Sequence, residues 1–364
     1  MLRIATFNLE NLFTRPSAMN QQTDATGRQA IEDHAELNGI VVKDTYFPQD
    51  KARLIALSQV YKFHYLDPPD DELIFLQKIR GQLFKQPKNQ PLEVVADGRA
   101  DWTGWFELRR EDVEWQATYN TGRVIAESHP DILIVVEVEN RPTLKHFCEQ
   151  VLESKFQFGY PHFMVIDGND DRGIDVGILS RFPLLDMRSH VDDLGADDKE
   201  IFSRDCPEYD IELPSGVRIV VIPNHFKSKR NGDDQASLDR RQAQADRAHA
   251  IALAALQRSN LVVFGGDLND VPDSPPLTSL FTDGFTDVST HPDWPSDRSG
   301  TYDTGLPSGK FDYLIMSPQL KDKLQHVGIE RRGSYHPKLW EHFDTVDKSS
   351  EASDHHLVWA DFNL

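Results

Sequence analysis

Residues 261–270 read LVVFGGDLND, an apolar run that breaks on two glycines and then presents Asp267 and Asn269, with Asp270 beside them. A run of this kind is a buried strand ending in a sharp turn, and such an end holds its next side chains firmly at a rim. The glycines are needed because a Cβ would crowd whatever docks there. A carboxylate and a carboxamide separated by one residue suit a reaction at phosphate. Asp orients or deprotonates a water, and Asn donates a hydrogen bond to a crowded anionic centre without adding charge. Taken alone, the same residues also describe an Asx turn that closes a strand.

The arrangement recurs along the chain. Residues 2–9 form a strand-like run that delivers Asn8, with Glu10 just beyond. In DILIVVEVEN, five consecutive β-branched or leucine residues predict a strand buried on both faces, and Glu137 is its first ionisable group. A carboxylate placed there costs several kcal/mol unless it is paired, with Arg141 as the nearest partner, or bound to a cation. Residues 217–222 form a strand that exits through PNHFKSKRNG, so His225 stands at another strand end. Lys227, Ser228, Lys229 and Arg230 follow it as a local basic patch suited to phosphate. Asp312 interrupts the apolar run FDYLIMS, and Asp354 and His355 open the closing strand.

The elements that must position these residues follow from periodicity. Residues 119–128 and 234–258 predict helices, the second with a stripe at Leu238, Arg241, Ala245, Ala248, Ile251 and Leu256 and with Arg240 and Arg247 outward. A groove lined by Lys227, Lys229, Arg230, Arg240 and Arg241 would favour a polymeric substrate. Residues 163–166 and 174–179 predict strands, and 192–200 a solvated acidic loop. From about 14 to 114 the character changes: the apolar spacing turns helical over 51–65 and 72–83, and PKNQP reads as a loop. We read this as a partly helical insertion into one domain, with Trp102, Trp105, Phe106 and Trp115 packing it against the main body in preference to stacking on bases.

Composition limits the function. The formal charge of −20 excludes a protein that coats nucleic acid by bulk electrostatics, so a polyanionic substrate has to be captured by metal or by a small basic patch. With only Cys148 and Cys206, a disulfide scaffold is excluded. The strand that begins at residue 2 leaves no room for a leader, and no stretch is long and apolar enough to cross a bilayer. A soluble cytoplasmic protein is expected.

Together, TFNLEN, DILIVVEVEN, GGDLND, FDYLI and SDHHLV resemble the endonuclease/exonuclease/phosphatase superfamily, the deoxyribonuclease I-like fold. The resemblance covers most of the chain outside 14–114. It implies an α+β, four-layered α/β/β/α sandwich of two mixed sheets with the site at one rim. It further implies metal positions at Asn8, Glu10 and Glu137 with Asp354 near the metal, catalytic positions at Asp267, Asn269, Asp312 and His355, and His225 against the phosphate. The cofactor implied is Mg²⁺, or Mn²⁺ in its place. One departure is Val136, where many members carry Gln before the metal-binding Glu. The leading expectation is a metal-dependent nuclease acting on DNA or RNA. The alternative is a phosphatase or phosphodiesterase for a small or lipid phosphate, which shares every catalytic residue.

Overall fold

The computed structural model describes residues 1–12, 18, 24–63, 72–87, 90–109, 115–170, 172–229 and 234–364. The chain divides into two compact units, Met1–Phe13 with Val113–Leu364, and Thr14–Asp112. Strand β1 (Leu2–Leu12) precedes α1 (Asp24–Val41), α2 (Pro48–Tyr61), β2 (Ile74–Arg80), β3 (Phe84–Lys85), β4 (Glu93–Val94) and β5 (Thr103–Leu108). The larger unit resumes with α3 (Trp115–Ser128), β6 (Ile132–Val138), α4 (Arg141–Phe147), α5 (Ser154–Phe156), β7 (His162–Ile166), β8 (Asp175–Ser180), β9 (Leu184–Arg188) and β10 (Glu208–Glu212). It closes with β11 (Arg218–His225), α6 (Gln235–Ala255), β12 (Val262–Asp267), β13 (Thr286–Asp287), β14 (Asp312–Met316), α7 (Pro318–Lys321), β15 (Leu324–Glu330) and β16 (Leu357–Phe362).

Two six-stranded mixed sheets build the larger unit, ordered β15-β16-β1-β6-β8-β7 and β13-β14-β12-β11-β10-β9. Each has one parallel pair, β1 with β6 and β11 with β12. The sheets face each other through Ile4, Ile134, Val136 and Ile178 on one side and Ile219, Val221, Val263 and Leu314 on the other. Alternate residues of the same strands turn outward. Ala5, Phe7, Leu133 and Val135 meet Val124 and Ile125 of α3, while Ile222, Val262 and Phe264 meet Ala245, Ala248 and Ile251 of α6. The four layers of the expected sandwich therefore follow from strands apolar on both faces.

Register sets the functional end. His225 pairs with Asp267 across β11–β12, and Asp267 pairs with Asp312 across β12–β14, so three chemistry-bearing residues stand in one row. The two glycines of β12 make this closeness attainable. A Cβ on Gly265 would lie 1.9 Å from the Tyr313 carbonyl oxygen, and one on Gly266, at φ +131, would lie 2.1 Å from that of Asn224.

The smaller unit has its own core, which includes Leu37, Leu54, Ile74, Trp102 and Phe106. Trp102 Nε1 donates to the Tyr46 hydroxyl at 2.8 Å, and that hydroxyl donates to the Val41 carbonyl at 2.8 Å. Two expectations change here. Residues 72–83 are not helical, because Ile74–Arg80 pairs antiparallel with β5 and its apolar residues are used by that ribbon. The tryptophans do not act as one group either: Trp102 and Phe106 are buried in this unit's own core, whereas Trp105 is 43% exposed and Trp115 is 52% exposed. Among the described residues, no helix is long and apolar enough to cross a membrane. Both cysteines are free and buried.

Candidate active site

Asp267 is the centre of the site. It is 2% exposed, and its Oδ2 receives Asn8 Nδ2 at 3.2 Å and lies 3.7 Å from both His225 Nε2 and His355 Nε2. Its Oδ1 accepts the backbone N–H of Asn269 at 2.9 Å, which is the Asx turn foreseen from the sequence. That turn and a chemical role coexist, because one oxygen closes the loop and the other faces the cluster. Burial pushes the Asp267 carboxyl up to about 7, opposed by the charge of His355 and reinforced by Asp312 and Glu137.

His355 precedes β16, and its Nδ1 lies 2.8 Å from Asp312 Oδ2. Burial works against a charge on this imidazole, but Asp312 and Asp267 outweigh it and hold the ring well above the ordinary histidine range. Asp312 is itself fixed by Thr301, whose hydroxyl donates to the same Oδ2 at 2.6 Å. The Tyr302 ring lies edge-on to His355 with centroids 5.0 Å apart, and its hydroxyl bonds Asp354. His225 has the opposite character. Burial, with the positive charges of Arg204 and Arg172, holds it well below the ordinary range, so it is neutral.

Carboxylates gather beside this row. Glu137 Oε1 is 3.9 Å from His225 Nε2, and Glu10 Oε2 accepts the Asp354 backbone N–H at 3.0 Å. Burial and then Asp354 push Glu10 up to about 7; Asp354 is raised by burial and in part by Glu137. Arg141, the alternative partner for Glu137, instead lies over the Phe163 ring at 5.0 Å. Glu10, Glu137 and Asn269 also adopt left-handed backbone, with φ of 33, 62 and 53. Such strain at non-glycine residues persists only where the surroundings enforce it, and it clusters at sites. Half-buried carboxylate oxygens that repel one another, next to the Asn8 carboxamide, form a hard donor set suited to Mg²⁺ or Mn²⁺. Ligand-type atoms of Asp267, Asp312 and His355 also lie within 4.8 Å of one another. This trio is better described as a relay built on one hydrogen bond, since His355 already spends Nδ1 on Asp312 and holds Nε2 3.7 Å from Asp267 Oδ2.

The basic patch differs from the expected one. Lys229 Nζ lies 2.6 Å from Asp270 Oδ1, and Asp270 Oδ2 receives Arg241 Nε at 2.9 Å. Arg241 is fully buried, so this cation anchors the loop and does not line a groove. Arg230 lies outside the described residues. Ser228 is half-buried next to Lys227. Lys227 is brought into a cationic group with Arg204, Arg172 and Arg240; burial first, then those charges, lower its pKa. Asp170 holds two of its members, at 3.0 Å from Arg204 Nε and 2.9 Å from Arg172 Nη2. Arg172 and Arg204, like Thr301 and Tyr302, were missed in the sequence. They sit in turns and not at the ends of apolar runs, and an Arg two residues after an Asp was the only signal.

The sequence profile of the Endonuclease/Exonuclease/phosphatase family matches residues 117–355. The chain belongs to this family. Its members are phosphoester hydrolases, which agrees with the relay and carboxylates just described. Among solved structures, an endonuclease/exonuclease/phosphatase from Beutenbergia cavernae is 16% identical at a TM-score of 0.50, covering 69% of this chain and 66% of that one. A family protein from Bacteroides thetaiotaomicron is likewise 16% identical at 0.50, covering 68% and 88%. Truncated Caenorhabditis elegans TDP2 is 20% identical at 0.48, covering 68% and 89%. No curated protein matches the chain.

Proposed function

We propose that this protein is a metal-dependent nuclease that hydrolyses phosphodiester bonds of DNA or RNA. The observation that carries the reading is the convergence of Asn8, His225 and His355 on Oδ2 of Asp267, beside the acids Glu10, Glu137 and Asp354. In this reading Glu137 and Asn8 hold Mg²⁺, or Mn²⁺, with Glu10 and Asp354 at the same place. A bound divalent cation supplies Lewis acidity, polarising a phosphoryl oxygen and offsetting charge on the departing one.

The chain's own groups do the rest. Asp267 aligns the attacking water and takes its proton, a role favoured by a carboxyl raised toward neutrality. His355, which Asp312 holds toward the charged form against the effect of burial, donates to the phosphoryl oxygens. Asn269 already gives one amide N–H to the Phe226 carbonyl at 3.2 Å, which fixes its side chain and aims the other N–H. Neutral His225 donates beside it. Two imidazoles driven to opposite protonation states define complementary roles.

The nucleic-acid substrate is supported by the cations Arg172, Lys227 and Arg240, with Arg204 buried and paired to Asp170 among them, in a chain whose formal charge is −20. Lys227, Ser228, Lys229 and Arg230 keep their assignment as the substrate-binding stretch, with Lys229 acting through its tie to Asp270. The reading treats residues 14–114 as an insertion into a single catalytic domain of a cytoplasmic enzyme. The test is hydrolysis of plasmid, single-stranded DNA, RNA, inositol phosphate and bis-p-nitrophenyl phosphate, with and without EDTA. Turnover confined to inositol phosphate would replace the nuclease reading with the small-substrate one.

A further inference from the structure

The inserted unit carries a surface that catalysis does not use. In the ribbon β2–β5, Phe75 pairs with Glu107, Gln77 with Trp105 and, past a bulge, Arg80 with Thr103. Side chains alternate across a strand, so the face opposite the core residues Ile74 and Phe106 carries Phe75, Gln77, Thr103, Trp105 and Glu107. The bulge returns Arg80 to this outer face. Gly104 lies behind Trp105, where a Cβ would strike the Trp102 ring at 2.3 Å, so the inner indole fills the space under the outer one. The far edge of β5 is closed by Asn38, whose amide exchanges hydrogen bonds of 3.0 Å with both the N–H and the carbonyl of Phe106. A partner therefore meets the face and not a strand edge.

The face has the chemistry of a polyanion site. The cations among these positions are Arg80 and Arg109, against one acid, Glu107, in a chain with 59 acidic residues. The Arg109 guanidinium lies 5.8 Å from the Phe75 ring centroid. Trp105 and Ile79 are 43% and 68% exposed. The centre of a protein-binding patch is depleted of charge. An exposed indole among cations and amides suits bases and phosphates together.

We propose that this face binds single-stranded nucleic acid, with Trp105 stacking on a base and Arg80 meeting the backbone. The proposal rests on the nucleic-acid reading above and adds a second place where the strand is held. A duplex, whose base faces are covered, gains nothing from Trp105.

The test uses the full chain in EDTA and the fluorescence anisotropy of labelled dT20 and a 20-base-pair duplex. Trp105→Ala should weaken dT20 binding about tenfold, Trp105→Phe should restore most of it, and duplex binding should not move. Arg80→Glu, which leaves every aromatic in place, should lower dT20 affinity and reduce the salt slope by about one unit. Hydrolysis of bis-p-nitrophenyl phosphate with Mg²⁺ should be unchanged in all three variants. Unaltered dT20 binding in Trp105→Ala and Arg80→Glu overturns the proposal and leaves the face to a protein partner. Trp105-dependent binding by a chain that cleaves no nucleic acid would keep the surface and reject the catalytic reading; cleavage with no Trp105 dependence would do the reverse.

Discussion

His225 and His355 each place Nε2 3.7 Å from the same oxygen of Asp267, yet their surroundings drive them to opposite protonation states. Arginines and burial keep the first neutral, and carboxylates keep the second cationic. Asp312→Asn should therefore remove the group that charges and orients His355. Turnover should fall by ~10²-fold or more in the folded variant. A variant that retains full activity would remove the relay from the mechanism.

Glu137→Gln keeps the shape of the side chain and removes its charge. Activity should drop, with at most partial rescue by excess Mg²⁺, and wild-type activity should vanish after dialysis against EDTA. Full turnover in EDTA would exclude metal from the reaction.

Charge on the rim should be read through salt. Replacing Lys227 and Arg172 by Ala removes about two of the cations grouped beside His225, so the slope of log binding against log salt should shrink by ~1–2 units for a polynucleotide. Small-diester hydrolysis should fall less. Equal losses on the two substrates would tie these cations to the chemistry itself.

Beside the site, Asp270 is 1% exposed and is shared by Arg241 and Lys229. Asp270→Ala would strand a buried guanidinium, a change that costs about 3–5 kcal/mol. Urea unfolding measures it, and an unmoved midpoint would mean that the guanidinium finds another partner.

His190 offers a pH signature. Its ring bridges Asp193 and Glu208 at 3.0 Å each; burial opposes its charge, but Glu208 and Asp193 prevail and raise its pKa above 6.5. A raised histidine contributes its full stability below the ordinary value and loses it as pH rises through the folded one. Glu208 is lowered from 4.5, so its part is present above that value and fades as pH falls. The melting-temperature gap between wild type and His190→Gln should be widest near pH 5.5–6.5 and narrow toward pH 8. A gap that grows with pH would contradict the assignment.

The rows of the site were legible because each apolar run stops on a polar residue, and a buried strand has few reasons to do so. This points to Asn8, Glu137, His225 and Asp267, whereas Asp312 opens its strand and interrupts the apolar run FDYLIMS. The insertion was harder. In residues 72–83 the apolar positions satisfy helical spacing, and only the distant partner β5 decides for a strand. In α1 the buried residues Ala30, Leu37, Ile40 and Val41 do follow helical spacing, but Asp33 takes the place between the first two and thins the apolar stripe. Arg172 and Arg204 become visible only once Asp170 brings them together.

Gly265 and Gly266 leave room for no atom between β12 and its neighbours. The amides of residues 264–267 should then exchange with deuterium only when the whole larger unit opens, making Asp267 as slow to move as the sandwich is to unfold. Ligands would meet a site already set, and adaptation to different substrates would fall to the loops around it.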